Sequence, residues 1–270
     1  RAAIVCPEEE NSLGGAFAAR DAGLFELKLI GDPGKIKAAA QALGRDLGDA
    51  EVIDEADHSK AARQAVAMVH SGDADLIMKG HLHTDQLLRP IFKSDGGLRV
   101  GRQITHVFIM DVPGFPRTLT ITDAAINIEP DLKTKVDILQ NALDLARALG
   151  NPEPKAAVVS AVETVNPAIP TTLQAAALAK MSDRGQIKGL VDGPFAMDNA
   201  INLEAAQTKG ITSAVAGQAD ILLAPNMEAG NMMVKLLTFA AGAQTAGLVL
   251  GAKCPVILTS RADDEASRLA

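Results

Sequence analysis

An α/β fold with a mostly parallel sheet, buried on both faces, is predicted for this chain by three features of its sequence. Short apolar runs alternate with segments of helical spacing almost from end to end. Of 270 residues, 47% are hydrophobic, enough to bury a core for one large domain or two smaller ones, and the 22% that are charged indicate a globular chain. Several apolar runs end abruptly in Gly, Pro or polar residues, as strands do that deliver ligand-holding loops beyond their carboxyl ends.

The first strand is AAIVC (2–6), followed by a Gly- and Ala-rich helix near 14–23, the strand LKLIG (27–31), a helix near 34–43 and the strand EVID (51–54). Ala62, Val66 and Val69 recur at helical spacing within a helix over 59–70. ADLIMKG (74–80) is a strand leading to a helix near 84–92, and SDGGLRVG (94–101) is a loop by its glycines and charges. ITHVFIM (104–110) and TLTIT (118–122) are strands separated by the turn DVPGFPR. The clearest helix spans 130–149: Pro130 suits its first turn, Leu132, Val136, Leu139, Leu143 and Ala146 keep its spacing, and Gly150 and Pro152 end it. The strand KAAVVSA (155–161), a helix at 171–181, the strand KGLVDG (188–193) and a helix near 199–208 follow. The strand DILLAP (220–225), a helix near 229–241 and the strands AGLVLG (246–251) and PVILTS (255–260) complete the series. The Gly-rich loop at 94–102 and the stretch at 241–246 are the predicted crossings between domains. Residues 1–103 with 241–270 then form one α/β domain and 104–240 the other, with a ligand cleft between them.

Composition excludes several function classes. A net charge of −7 argues against nucleic acid or an anionic membrane as the main partner, and the absence of Trp and Tyr argues against a base-stacking platform. Without an uninterrupted apolar run of 18 residues or a signal-peptide start, the expectation is a soluble protein of the cytoplasm. Cys6 and Cys254 lie in or beside strand-like runs and read as reduced, buried thiols rather than as a disulfide framework.

Four constellations carry chemistry. In MKGHLHTDQLLRP (78–90) a strand ends at Lys79-Gly80, His83 follows, Thr84 is placed to cap the next helix, and Arg89 lies on that helix. Ammonium and guanidinium groups beyond a strand end suit a phosphate. His81-x-His83 raises the question of a metal, but the sequence offers no further His or Cys cluster beside it, so no metal site is expected. In LVDGPFAMDNAI (190–201) the strand is expected to end at Asp192, with Asp198 or Asn199 capping the next helix, and Asp192 and Asn199 stand where a ligand would be held. In APNMEAGNMMVKLLTF (224–239), Asn231, Lys235 and Thr238 form a polar stripe starting at a helix N-terminus, beside Gly230, where free N–H groups attract phosphate. In LTSRADDEASRL (258–269), Ser260 and Arg261 follow a strand, and Asp263, Asp264 and Glu265 open a helix that either stabilise its dipole or supply a general base.

These four motifs, in this order, resemble those of the phosphate acetyltransferase / phosphate butyryltransferase family, and ITHVFIMDVP, ITDAAINIEPDL and SAVETVNPAIPTT are similar to its butyryltransferase-like branch. The resemblance extends over practically the whole chain. It implies two α/β/α domains with a cleft between them, similar to isocitrate and isopropylmalate dehydrogenases, and a homodimer with contacts in the central domain. It also implies reversible exchange of an acyl group, in the acetyl to butyryl range, between coenzyme A and phosphate, with no permanently bound cofactor and no covalent acyl-enzyme. Ser260 and Arg261 match the family's Ser-Arg pair and Arg89 the Arg of its Thr-x-x-x-x-Arg-Pro motif; these are the expected catalytic groups. Lys79, His83, Thr84, Asp192, Asn199, Asn231 and Lys235 are expected to bind substrate. The family's acetyltransferase branch carries an Asp seven residues after that Ser, where this chain has Ser267; Asp263 or Asp264 then has to substitute, or the thiol is deprotonated otherwise, and Asp263 is the preferred base.

Two rivals stand beside this reading. An oxidoreductase on the same fold would need a metal cage of Asp residues and a nicotinamide site, yet no G-x-G-x-x-G follows a strand. A catalytically silent protein that binds coenzyme A would keep the cleft without the base. Arg1 in place of Met, and an end within the last helix, lead to the expectation of a longer parent, such as one with an enoyl-CoA hydratase domain ahead of this one.

Overall fold

The computed structural model describes residues 1–258, arranged in two compact units. The first comprises Arg1–Ile104 with the chain from Ala246 onward, the second Thr105–Thr245.

In the first unit, strands β1 (Ala2–Val5), β2 (Leu27–Gly31), β3 (Glu51–Asp54) and β4 (Leu76–Lys79) alternate with helices α1 (Glu10–Asp21), α2 (Pro33–Ala42) and α3 (His58–Ser71), and α4 (Thr84–Phe92) follows β4. The strand order is β3-β2-β1-β4, all parallel, so every carboxyl end opens on one edge. Parallel strands demand helical crossovers, and their side chains are buried from both faces. Ile4, Leu13, Phe17, Leu29, Ile36 and Met78 form the resulting core. Helix starts are set by local chemistry: Asp32 accepts from the amides of Gly34 and Lys35 at the head of α2, and Asp57 from that of Lys60 at the head of α3. Gly72, at φ 81, closes α3 in the left-handed conformation. Toward the C-terminus, β11 (Val256–Ile257) continues the sheet parallel to β4, and β10 (Gln244–Leu250) pairs antiparallel to β11.

The second unit begins with the antiparallel hairpin β5 (Thr105–Asp111) and β6 (Leu119–Thr122). Helix α5 (Leu132–Ala148), β7 (Lys155–Val159), α6 (Pro170–Asp183), β8 (Leu190–Phe195), α7 (Met197–Ile201), α8 (Leu203–Thr208), β9 (Ile221–Leu223) and α9 (Met227–Ala241) follow. Strands run in the order β5-β6-β9-β7-β8, parallel from β6 onward. Leu119, Ile121, Phe195, Leu222 and Val234 lie in the core beneath them.

Several boundaries differ from those expected. Pro130 precedes α5 instead of entering its first turn, because the Asp131 carboxylate takes the cap by accepting from the Thr134 amide at 2.7 Å. The helix expected over 199–208 is two helices: Asn202 leaves helical geometry at φ −119, ψ 115 and caps α8 by accepting from the Ala205 amide at 2.9 Å. Asp198 and Asn199 therefore lie inside α7, whose cap position is Ala196, and cap nothing. Strand β8 does not stop at Asp192 but runs through Gly193-Pro194 to Phe195, with a register shift against β7 between Ala157 and Val159. Glycine is required at 193 because a Cβ there would stand 2.7 Å from the Val158 carbonyl oxygen. Thr84 is the first helical residue of α4 and His83 the cap. Among the described residues no helix is long and apolar enough to cross a membrane.

Candidate active site

In the first unit the polar residues gather at the carboxyl edge of the sheet. Beyond β1 the chain turns at Cys6, a non-glycine residue at φ 53, whose carbonyl accepts from the amides of Glu8 (2.8 Å) and His81 (2.6 Å). The turn can reach His81 because residue 80 is glycine: a Cβ there would lie 2.3 Å from the Cys6 carbonyl oxygen. That contact fixes the loop carrying the first motif. Lys79, the last residue of β4, is 7% exposed, with its Nζ 3.4 Å from the Gly80 carbonyl. His81 Nδ1 stands 2.7 Å from Glu9 Oε2, within ion-pair reach though out of line for a hydrogen bond. His83 donates its amide to Gln86 Oε1 at 3.3 Å, and both His83 and Thr84 are exposed.

Helix α4 then carries Arg89 into the open. Its side chain is 80% exposed, 3.8 Å from Asp85, and it borders a cavity of about 340 Å³ between α3 and α4. Arg63, Arg89 and Lys93 line that cavity with Ser59, Asp85 and Gln86, so three cations face one carboxylate. A concavity of this kind suits an anion with more than one charge. Arg63 carries no sequence signal for such a role, since it lies on α3 and meets Arg89 only through packing of α3 on α4.

Glu8 anchors a second cluster on the same edge. Its carboxylate, 3% exposed, accepts from the Asp32 amide (3.1 Å) and from Lys35 Nζ (3.1 Å), and lies 3.4 Å from His58 Nε2. Burial alone would raise this carboxyl, but the amide of Asp32, the Lys35 ammonium and the His58 ring together hold it below the usual carboxylate range. A sulfur, a carboxylate oxygen and a ring nitrogen from Cys6, Glu8 and His58 all lie within 4.8 Å of one another. This grouping joins residues far apart in the sequence, which is why the spacing of His and Cys along the chain does not reveal it. Burial pushes the thiol of Cys6 up to about 12 and that of Cys254 up to about 11.

In the second unit the turn after β6 is organised by Asp123, whose buried carboxylate accepts from the amides of His106 (3.2 Å), Ala125 (2.9 Å) and Ile126 (3.0 Å) and from Asn127 Nδ2 (2.5 Å). His106 itself is fully buried against Phe108, and burial pushes its ring down to about 3, so it is neutral. The head of α9 packs on this turn. Gly230 is needed because a Cβ would stand 2.8 Å from the Asp123 carbonyl oxygen, and Asn231 donates to the Ala124 carbonyl at 3.2 Å. Glycine 230 thus serves close packing, and the Asn231 amide holds the protein's own backbone. Lys235 is exposed. The other end of the stripe, Thr238, bonds the Val234 carbonyl at 2.9 Å, as helical threonines do.

Asp192, half-buried, accepts from the Gly193 amide at 2.8 Å. Asn199 is completely buried, donates to Glu163 at 3.3 Å, and has a side-chain oxygen with no hydrogen-bond partner among the described residues. Lys209 bridges Glu163 (3.2 Å) and Asp198 (3.5 Å). The expected substrate-binding residues therefore fall into two sets, Lys79, His83 and Thr84 with Arg89 in the first unit and Asp192, Asn199, Asn231 and Lys235 in the second. Ser260, Arg261 and Asp263 lie outside the described residues.

Residues 57–267 match the family profile described as phosphate acetyl/butaryl transferase. The chain belongs to that family. Of its relatives, the phosphate acetyltransferase of Rhizobium meliloti is 54% identical over 99% of this chain and 85% of its own length. The phosphate butyryltransferase of Clostridium acetobutylicum is 43% identical over the whole of this chain and 90% of its own. A branched-chain phosphotransacylase from Enterococcus faecalis V583 has a similar structure, with a TM-score of 0.85 and 30% identity over 99% of this chain and 94% of that one. The phosphate acetyl/butyryl transferase family is thus matched both by sequence and by α/β fold.

Proposed function

We propose that the chain exchanges an acyl group between coenzyme A and phosphate: acyl-CoA plus phosphate gives acyl phosphate plus CoA. The observation that carries this reading is the 54% identity to a phosphate acetyltransferase over nearly the whole chain. The chain's own residues add support. Both substrates are polyanions, and the cavity beside α4 offers Arg63, Arg89 and Lys93 to them.

In the CoA-consuming direction, the CoA thiol, with an ordinary pKa near about 8.5, gives its proton to a carboxylate, for which Asp263 is the proposed group. The thiolate attacks the acyl-phosphate carbonyl, the tetrahedral oxyanion collapses, and phosphate leaves. Ser260 and Arg261 meet the charge that develops on the carbonyl oxygen and the departing phosphate, and Arg89 helps to balance the phosphate. Transfer is direct: the two cysteines, buried and with thiols held far from the thiolate form at neutral pH, are poor acyl carriers. Lys79, His83, Thr84, Asp192, Asn199, Asn231 and Lys235 contribute to substrate binding. No resident cofactor or metal enters the exchange. The domains are taken as 1–103 with 241–270, and 104–240. The enzyme works in the cytoplasm as a homodimer joined through the central domain, where α9 exposes Met232, Leu236 and Phe239 along one side.

Release of CoA from acetyl-, propionyl- and butyryl-CoA on addition of phosphate tests the reaction; no turnover with any of the three overturns it. Arg261→Ala and Arg89→Ala are each expected to lower kcat/KM by about 100-fold or more with the circular dichroism spectrum unchanged. Wild-type rates in both variants would refute the assignment of these residues.

A further inference from the structure

We propose that Cys6, Glu8 and His58 form a binding site for a thiophilic divalent cation of the Zn²⁺ class in the first unit. The three residues come from the turn after β1, the approach to α1 and the first position of α3, and one donor atom of each lies within 4.8 Å of the other two. Thiolate, carboxylate and imidazole are the donor types that Zn²⁺ takes, and three protein ligands with one further position form a common arrangement. In a tetrahedral site such donors stand about 3.5 Å apart, so closure on a metal needs side-chain movements of roughly an ångström.

The cluster has features of a built site. Glu8 is 3% exposed, and the Asp32 amide holds Oε1, which leaves Oε2 toward His58 and Lys35. An outer donor that fixes a ligand in this way is a recurring property of metal centres. Cys6 is the one non-glycine residue with positive φ among those described, and its carbonyl is clamped by two amides, so its position is imposed rather than relaxed. His58, 27% exposed, offers an entry path. Lys35 is the present counter-charge to Glu8, but its side chain is 58% exposed and can swing into water. On binding, the metal takes over that role, and the thiol of Cys6 loses its proton to solvent as the sulfur–metal bond forms. The proposal is independent of the acyl exchange.

Titration of the reduced protein with Co²⁺ tests it, because a thiolate–cobalt bond gives a charge-transfer band in the near ultraviolet. The band is expected to saturate at one equivalent, to fade on addition of Zn²⁺, to be absent in Cys6→Ser and to persist in Cys254→Ser. His58→Ala, at the half-buried first position of α3, is expected to weaken Co²⁺ binding at least about tenfold while the protein stays folded. Absence of the band from the wild-type protein, its persistence in Cys6→Ser, or unchanged affinity in His58→Ala would overturn the site.

Discussion

His106 shows what a single buried side chain does to the pH range of this protein. Its ring is enclosed, and burial holds its pKa at about 3, against an ordinary value near about 6.5 in the unfolded chain. Between those values the unfolded state binds a proton that the folded state refuses. Stability is therefore intact above the unfolded pKa and falls as pH drops through this window, by up to about 1.4 kcal/mol per pH unit. His106→Leu is expected to flatten that limb when urea midpoints are compared between pH 6.5 and 4; an unchanged slope would show that other groups govern it. Nothing in ITHVFIM distinguishes a buried His from one that alternates toward solvent, so this residue was illegible without the fold. Arg89 was legible as a cation beyond a strand end, whereas its neighbours Arg63 and Lys93 became visible only when α3 packed against α4.

At the level of elements, glycine contacts and caps decide where chains turn. Gly80→Ala forces a methyl group against the Cys6 carbonyl, which neither β1 nor the two amides bonded to it can yield, and a loss of about 1–3 kcal/mol is expected in urea unfolding. Gly72→Ala has open space but sits at φ 81, so it should lose stability through backbone strain alone, about 1 kcal/mol. Equal losses at the two sites would argue against the steric account of Gly80. Asn202→Ala removes the cap of α8 and is expected to cost about 1 kcal/mol. The alternation of strands and helices could be read from apolar runs, because burial on both faces leaves an unmistakable composition. The break at Asn202 and the extension of β8 through Pro194 could not, since each depends on a partner: the Ala205 amide in one case, and the shifted register against β7 in the other.

Across the whole molecule, the apolar side of α9 is the feature with the widest reach. Met232, Leu236 and Phe239 are 68%, 66% and 76% exposed and recur at four- and three-residue steps, while Val234 and Gly230 on the opposite side are buried. For the proposed homodimer, Phe239→Glu with Leu236→Glu is expected to give a monomer in sedimentation velocity; an unchanged dimer would place the contact elsewhere, and a monomeric wild-type protein would overturn the dimer. Met233 and Leu237 on the same helix pack on the core, whereas Ala240 is exposed. A helix with apolar residues on two sides defeats a periodicity argument, because spacing alone does not say which side faces inward. The close approach of Gly80 to Cys6 bears finally on the order of events as the chain folds. The segment that carries His81, His83 and Thr84 takes its shape from a strand near the beginning of the chain, with three helices and three strands between them in sequence. It cannot be set by local preference while the chain is still collapsing. This loop can acquire its form only once β1 and β4 lie side by side, a long-range pairing whose loop-closure entropy has to be met first.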